Sequence, residues 1–575
     1  ECICPIEPAR MLGRTVLQWD KEDCAWMGLV KFDLLGLGIL SALSISFNLI
    51  SRHCGRSWTL AAIPRNEPGV YDMLCRGDSI GVFQVESRAQ IGTLPRLKPR
   101  CFYDLAVEIG LIRPGPVQGG AVHPYIRRRT GAEPVTYPHP LLEPVLERTL
   151  GIPVFQEQLM QMAITVGNCT AADADLLRRA MGSKRGMERI DSLRTKLFEG
   201  MAANGIDDET AQDIYARIES FANFGFAESH ALSFAGLVYS SVWIKLHYPA
   251  AYLAALLRSQ PMGFYSSATL VADARRHGVV TRRPDVVKSS VNADLELLDS
   301  CYEEHGGEGL ETGMEGCLRD HDESEIGAFD PNRDDGDHRR DTCFAVRLGL
   351  SDISGISAET ATRIVEEGKR RSFASLDDLA RRVDLSGEEV EALALAGAFD
   401  DLVGSRRGAL WQIGQINGVG PGQLDVQVAT QPPLLPEPTQ MELLSDDLHA
   451  TGISTADHPI RHVRGVLNRR GVVRIDRLDG VEAGRRIEVA GVVTHRQRPG
   501  TAGGVTFLNL EDETGLLNVI VTPGVWRHYR RVARTSQSLV VRGILERGDE
   551  GVMSLQADRL EALDLSVSTR SRDFR

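Results

Sequence analysis

Apolar positions recur at spacings of three and four through the first half of the chain and alternate near its end, which predicts helices followed by strands. Gly28 to Leu35 reads as a short buried strand carrying one carboxylate, and Gly36 then turns the chain into an apolar helical run from Leu40 to Ile50. From there to about Arg282 the pattern is mainly helical, as in Ala171 to Met181 and Ala211 to Phe221, with Pro and Gly punctuating the turns. One large helical body is expected. From about Arg470 to Leu565, β-branched alternation such as Arg486 to Val493 and Gly504 to Leu510 predicts a small antiparallel barrel. Two stretches lack periodicity. Tyr302 to Asp341, rich in Gly, Asp and Glu, reads as a disordered acidic insertion. Gln431 to Pro438, with Pro432, Pro433, Pro436 and Pro438, reads as a linker.

A length of 575 residues, 42% hydrophobic and 25% charged, allows several separate cores. The first residue is Glu1 and no charged and apolar leader opens the chain, so a piece of a longer protein without a secretory signal is expected. The most apolar stretch, Ala231 to Leu257, is interrupted by Lys245, His247 and Pro249, whereas a membrane helix needs about 20 uninterrupted apolar residues. A soluble, cytoplasmic protein is therefore expected, with no membrane partner. Ten scattered cysteines suit a reducing compartment better than a disulfide scaffold. Cys2, Cys4 and Cys24 lack the paired spacing of a metal site and read as stray thiols. The net charge of -13 is uneven, because Glu303 to Asp341 carries fourteen acids against four arginines; the remainder is near neutral and DNA is not excluded. Arginine outnumbers lysine about seven to one, which a GC-rich genome explains for most positions, so only arginines inside motifs carry weight.

Five signatures occur in order: Lys31-Phe32-Asp33-Leu34-Leu35-Gly36-Leu37, Gly81-Val82-Phe83-Gln84, Leu111-Ile112-Arg113-Pro114-Gly115-Pro116, Leu177-Arg178-Arg179-Ala180-Met181-Gly182, and Phe224-Gly225-Phe226-Ala227-Glu228-Ser229-His230-Ala231. Together they resemble the palm end and fingers of bacterial C-family DNA polymerase III alpha subunits. The ending Ser571-Arg572-Asp573-Phe574-Arg575 is similar to that of the error-prone, ImuC-like branch. The resemblance implies a multidomain α+β chain: end of a polymerase palm (1–38), large helical fingers (39–300), acidic insertion (301–342), tandem helix-hairpin-helix module (343–415), linker (416–465), OB-fold barrel (466–566) and tail (567–575). It also implies that a phosphatase-like domain, a thumb and most of the palm precede this sequence.

Nucleotidyl transfer uses two magnesium ions held by converging carboxylates. Asp33 matches the third palm aspartate, so the resemblance assigns it as catalytic residue and Mg2+ ligand, and alone it cannot form the two-metal site. The incoming triphosphate needs fixed positive charge, for which Arg178, Arg179 and Lys184 form the candidate cluster. Neighbouring arginines on a helix point about 100° apart, so one salt-bridged and one solvated arginine is the competing reading. Arg113 precedes a Pro-Gly-Pro turn that either holds it at a cleft or is simply a rigid corner. His230 and Phe234 share a helical face, suited to the sugar and base of the nucleotide, while core packing explains Phe234 equally well. Replicative members often have Tyr at the position of Phe234. Arg88, Arg96, Lys98, Arg100, Arg127, Arg128 and Arg129 could follow duplex phosphates.

In the module, Ser354-Gly355-Ile356 makes the hairpin, Ser357 caps a helix running to a Gly368 stop, and Ser386 with Glu389 forms a capping box. Gly355 and Ser357 thereby present helix amides to DNA phosphates, which Glu359 in the first turn opposes. In the barrel, Arg496, Arg498 and Phe507 are the candidate single-strand contacts. Gln440-Met441-Glu442-Leu443-Leu444 resembles the family's sliding-clamp peptide but has Leu444 where an aromatic anchors. In the error-prone branch the resemblance implies recruitment through a Y-family-like adaptor that reaches the clamp. The expected function is error-prone, template-directed DNA synthesis in damage-induced mutagenesis and translesion synthesis, on primed DNA with deoxynucleoside triphosphates. The alternatives are a replicative alpha subunit and a non-catalytic DNA-binding or interaction fragment.

Overall fold

Residues with apolar side chains every third or fourth position do coil into helices, the longest among the described residues being Glu228–His247. A computed structural model describes residues 3–9, 13–30, 37–113, 122–180, 191–220, 226–301, 319–322, 326–330, 336–416, 435–499, 502–548, 553–565, 567 and 571–574. Residues 1–38 form one unit. Its antiparallel hairpin pairs β1 (Ile6–Pro8) with β2 (Thr15–Leu17), and a short helix, Lys21–Trp26, follows. Gly28 to Val30 adopt no strand, and the remainder of the expected catalytic strand, Asp33 included, lies outside the described residues.

The second unit begins in the helix Gly38–Cys54, which brackets the predicted run from Leu40. Helix Glu228–His247 is buried through its C-terminal half and packs on Phe102–Leu111 and Pro68–Cys75, with Trp243 and Tyr71 fully enclosed. A separate helical core gathers Leu142, Leu159, Met162, Leu177, Leu197 and Ile214. Apart from Leu142, which ends the short turn Pro140–Leu142, these come from helices Gln156–Gly167, Ala171–Ala180, Arg194–Ala203 and Asp208–Ser220, two of which the periodicity marked. No described helix is long and apolar enough to cross a membrane.

Three short strands, β3 (Thr281–Arg282), β4 (Asp294–Leu297) and β5 (Phe344–Arg347), form a sheet in the order β3-β5-β4. The sheet joins chain on both sides of the acidic stretch. Antiparallel pairing of β4 with β5 puts the residues beyond their ends side by side, and Leu298 donates to the Cys343 carbonyl. Cys301 and Cys343 accordingly form a disulfide with Cα atoms 5.5 Å apart, a pairing that the scattered spacing of the cysteines did not lead one to expect. Parts of the acidic stretch are also more ordered than expected. The Arg65 amide donates to Asp320, His321 donates back to the Arg65 carbonyl, and Arg340 and Asp341 are buried. Asp341 caps the helix Pro249–Arg258 by accepting from the Ala250 and Ala251 amides, a role that composition cannot reveal.

Helices Ala358–Arg370, Leu376–Val383, Gly387–Leu395 and Arg406–Ile416 share a core around Ile364, Leu379, Leu393 and Phe399. Gly368 does not stop its helix. It sits inside the last turn, where Phe373 packs close enough that an added Cβ would be 3.2 Å from the ring.

The alternating segments build a barrel of β6 (Arg486–Gln497), β7 (Thr506–Glu511), β8 (Leu516–Val521), β9 (Ser538–Arg547) and β10 (Met553–Ala562). Neighbours run β6-β7-β8-β10-β9, and β9 pairs back with β6 to close it. The β8–β10 pair is parallel, the others antiparallel; a last strand, β11 (Arg572–Phe574), adds to β6 in parallel. Every second side chain of β7 and β8 points to a core of Leu508, Leu510, Leu517 and Val519.

Candidate nucleic-acid interface

The N-terminus of helix Glu228–His247 is fixed before any functional group is placed. Glu228 accepts from Tyr103 Oη at 2.8 Å, and its amide donates to Glu157 at 2.8 Å. The Phe226 carbonyl accepts from Gln156 at 2.9 Å. From this held start, positions four apart line one face. Ring centroids of Phe226 and His230 are 5.3 Å apart, those of His230 and Phe234 4.1 Å, and Phe234 meets Phe83 edge-on at 5.1 Å. At the other end the Arg113 guanidinium covers Phe226, 3.6 Å from the ring centroid. Arg113 also donates to the Ile109 carbonyl at 3.3 Å, and its partial burial holds the guanidinium below its ordinary value.

Arg113, His230 and Phe234 are thus brought into one continuous run. Phe226 and Phe83 complete it, although only their motif neighbours suggested a role. The run offers a cation at one end, π-faces along its length and an exposed imidazole, groups that can hold a phosphate and stack on a base.

Arg178 and Arg179 lie on the exposed face of Ala171–Ala180 and share a single carboxylate. Arg178 donates to Asp175 Oδ1 at 3.0 and 2.8 Å, and Arg179 contacts Oδ2 at 2.6 Å. Neither is the lone solvated arginine of the competing reading. Hydrogen bonds from Arg178, with both charges nearby, hold the Asp175 carboxyl below its usual range. Lys184 lies outside the described residues.

The triple arginine of helix Val122–Arg129 is largely committed to its own fold. Arg129 grips Asp104 at 2.5 Å, and Arg128 donates to the Leu150 and Thr136 carbonyls at 2.7 and 3.0 Å. Arg127 pairs with Glu133 at 2.9 Å but keeps half its side chain in solvent. Arg100 is likewise bound to buried Asp72 at 2.5 Å.

In the hairpin module Gly355 takes φ +92°, a region that favours glycine, and turns the chain into Ser357. Ser357 Oγ accepts from the Thr360 amide at 3.0 Å, as expected of an N-cap. Ser386 and Glu389 cap the partner helix reciprocally at 3.2 and 2.9 Å. Thr360 Oγ1 donates to Glu389 at 2.7 Å, so the two helix starts are tied together.

The barrel divides its three candidates. Arg496 is 8% exposed and donates to the Ala533 carbonyl at 2.8 Å, to the Ser536 carbonyl and to Ser571. It fastens the wall of the barrel, which corrects its expected place on a DNA-facing surface. Arg498 is exposed. Phe507 lies under Arg88, whose guanidinium carbon is 4.9 Å from the ring centroid and whose Nη2 donates to Asn509 at 2.6 Å. Arg88 was expected to follow phosphates; it bridges fingers to barrel instead.

Two clusters among the described residues have metal-ligand chemistry, Glu67–His247–His338 and Asp78–Asp273–His277. Neither is an all-oxygen set fit for Mg2+. The second already holds a cation, since Lys245 Nζ lies 2.8 Å from both aspartates.

Residues 39–205 match the description "Bacterial DNA polymerase III alpha subunit finger domain". Residues 278–409 match "Helix-hairpin-helix motif", and 487–563 match "OB-fold nucleic acid binding domain". The hairpin match starts well before residue 343 and takes in the three-stranded sheet. A protein named "Error-prone DNA polymerase" from Cutibacterium acnes is 91% identical over 573 residues, covering 100% of this chain and 50% of the relative. Proteins of the same name from Mycolicibacterium paratuberculosis and Corynebacterium glutamicum are 51% and 48% identical over 576 residues, covering 49% and 50% of their lengths. The chain spans about half the length of the curated relatives it matches. With its finger, hairpin and barrel modules in this order, it belongs to the bacterial DNA polymerase III alpha-type family, on the error-prone branch.

Proposed function

We propose that this chain supplies the nucleotide-binding fingers and two DNA-binding modules of an error-prone, template-directed DNA polymerase. It acts in damage-induced mutagenesis and translesion synthesis in the cytoplasm, on primed DNA and deoxynucleoside triphosphates. The observation that carries this reading is the run Arg113–Phe226–His230–Phe234–Phe83. A half-buried guanidinium beside the rings suits the triphosphate, because charge in a partly desolvated site acts more strongly than in water. His230, exposed one turn along, suits the sugar or an inner phosphate oxygen, and Phe234 the base. Arg178 and Arg179 contribute by exchanging their shared Asp175 for phosphate oxygens.

Mg2+ is the metal this chemistry requires, supplying charge neutralisation at the triphosphate. Asp33 is its proposed ligand in this chain, and the further carboxylates are expected in the half of the relatives' length that the chain does not span. Gln440–Ala450 is a capped helix with Leu444 1% exposed, so the clamp-like peptide is not free to extend. This favours recruitment to the sliding clamp through a Y-family-like adaptor.

The test is primer extension with Mg2+ in a polymerase restored to the relatives' full length. His230→Ala and Arg178→Ala should lower kcat/KM for nucleotide about tenfold or more while DNA affinity stays within a factor of about two, and Asp33→Ala should abolish extension. Robust extension by the 575 residues alone, or no effect of any of the three substitutions, would overturn the assignment.

A further inference from the structure

The long fingers helix ends on an imidazole that neither nucleotide nor DNA binding uses. His247 is fully enclosed, with Nδ1 2.9 Å from the His338 carbonyl, which makes Nδ1 the N–H donor to that oxygen. Nε2 then faces the carboxylate of Glu67, 3.0 Å from one oxygen and 2.9 Å from the other. A neutral ring in that tautomer would set its lone pair against carboxylate lone pairs where Glu67 is 1% exposed. A proton or a metal ion must lie between them.

His338 supplies the observation that decides between the two. Its Nδ1 lies 3.5 Å from Glu67 Oε1, is shut off from solvent and has no hydrogen-bond partner. The Cε1–Nε2 edge of the ring rests on Gly69, where a Cβ would come within 2.8 Å of Cε1 and 2.9 Å of Nε2, so the packing leaves the ring little room to turn away from the carboxylate. A proton on His247 would satisfy His247 and leave His338 Nδ1 with only its long 3.5 Å approach to Glu67, whereas an ion at the centre serves both rings. Trp243 Nε1 donates to Glu67 Oε2 at 2.9 Å, the kind of outer hydrogen bond that orients a metal-binding carboxylate.

We propose that Glu67, His247 and His338 form a site for a divalent ion of the zinc class, which anchors the chain following the acidic stretch to the fingers. Two imidazoles and one carboxylate select such an ion over Mg2+. The two nitrogen-to-carboxylate separations, 2.9 and 3.5 Å, bracket the edge of about 3.3 Å of a tetrahedron with bonds of about 2.0–2.1 Å, and the three ligand atoms all lie within 4.8 Å of one another. Residues 336–338 form a single helical turn leading into β5, so a filled site fixes the end of the acidic stretch.

The 575-residue chain, stripped with a chelator, is titrated with Zn2+, with Co2+ as spectroscopic probe and Mg2+ as control. One zinc should bind per chain, Co2+ should give the visible absorption of a four-coordinate nitrogen and oxygen site, and millimolar Mg2+ should compete with neither. His338→Ala, at a ring that is partly exposed, should weaken zinc about tenfold or more and remove the zinc-induced rise in melting temperature. Should that variant fold poorly by circular dichroism, Glu67→Gln, which keeps hydrogen-bonding capacity, provides the same comparison. Wild-type chain that takes up no zinc, or zinc binding unchanged in the folded variant, overturns the proposal and leaves a protonated imidazole beside a carboxylate.

Discussion

Lys245 is 5% exposed, and its ammonium donates to Asp78, Asp273 and the Ile80 carbonyl at 2.8, 2.8 and 3.0 Å. Burial works against the charge, but the two carboxylates outweigh it and hold the group above its ordinary value. Removing one partner of a buried ion pair leaves the others uncompensated, so Lys245→Met should cost about 3–5 kcal/mol in urea unfolding. A loss below about 1 kcal/mol, typical of an exposed pair, would mean that water reaches the aspartates. Glu511, at the end of β7, behaves oppositely. Desolvation pushes its carboxyl up to about 7, with Arg276 and the Thr269 hydroxyl opposing. A raised acid binds its proton more tightly in the folded state, so stability is highest below about pH 4.5 for this group and falls as pH rises from there to about 7. The shift corresponds to about 3 kcal/mol at most. Glu511→Gln should therefore flatten the melting temperature between pH 5 and pH 8 (about the titration window) and raise it at the upper end. An unchanged slope would assign the pH dependence to other groups.

Among elements, the paired helix starts of the hairpin module depend on their caps. Ser386→Ala removes the acceptor for the Glu389 amide and the hydroxyl that donates to the Glu389 carboxylate, while the backbone amide of residue 386 still donates to that carboxylate. The expected cost is about 1 kcal/mol, read from the denaturation midpoint, with the Thr360 bond to Glu389 left in place. Both caps were legible in the sequence because a serine before an apolar run, with Glu389 three residues on, is local chemistry. Barrel strands were legible for the same reason, since alternation is a property of consecutive residues. What stayed hidden depends on distant partners. Arg496 looks like its exposed neighbour Arg498 until the chain brings Ala533 and Ser536 to it, and Asp341 looks like any acid of its stretch until it meets the start of a helix. Gly368 reads as a stop, yet it is retained inside the helix by the aromatic ring that it lets approach. Within the candidate site, motifs marked Arg113, His230 and Phe234, but only the fold shows them stacked through Phe226.

At the scale of the whole molecule, fingers and barrel meet along a polar seam: Arg88 on Phe507 and Asn509, His495 against the Phe264 carbonyl, and Arg276 near Glu511. Burial pulls the Arg88 guanidinium down to about 10, and its Nε and Nη1 are enclosed without acceptors. Arg88→Ala should therefore cost little stability, about 1 kcal/mol or less, because the lost stacking is offset by relief of the unmatched donors. Differential scanning calorimetry of the variant checks this; a loss above about 3 kcal/mol would show the seam to be a principal support. The cover over Phe507 has a thermodynamic corollary. A base can stack on that ring only after the guanidinium withdraws, so capturing a single strand and loosening the seam are one equilibrium seen from two sides. Whatever factor the strand contributes to separating fingers from barrel, separation must return to the strand's affinity. On the proposed reading, a strand stacked on Phe507 is gripped only when the Arg88 contact has opened, which makes that grip a report on the seam itself.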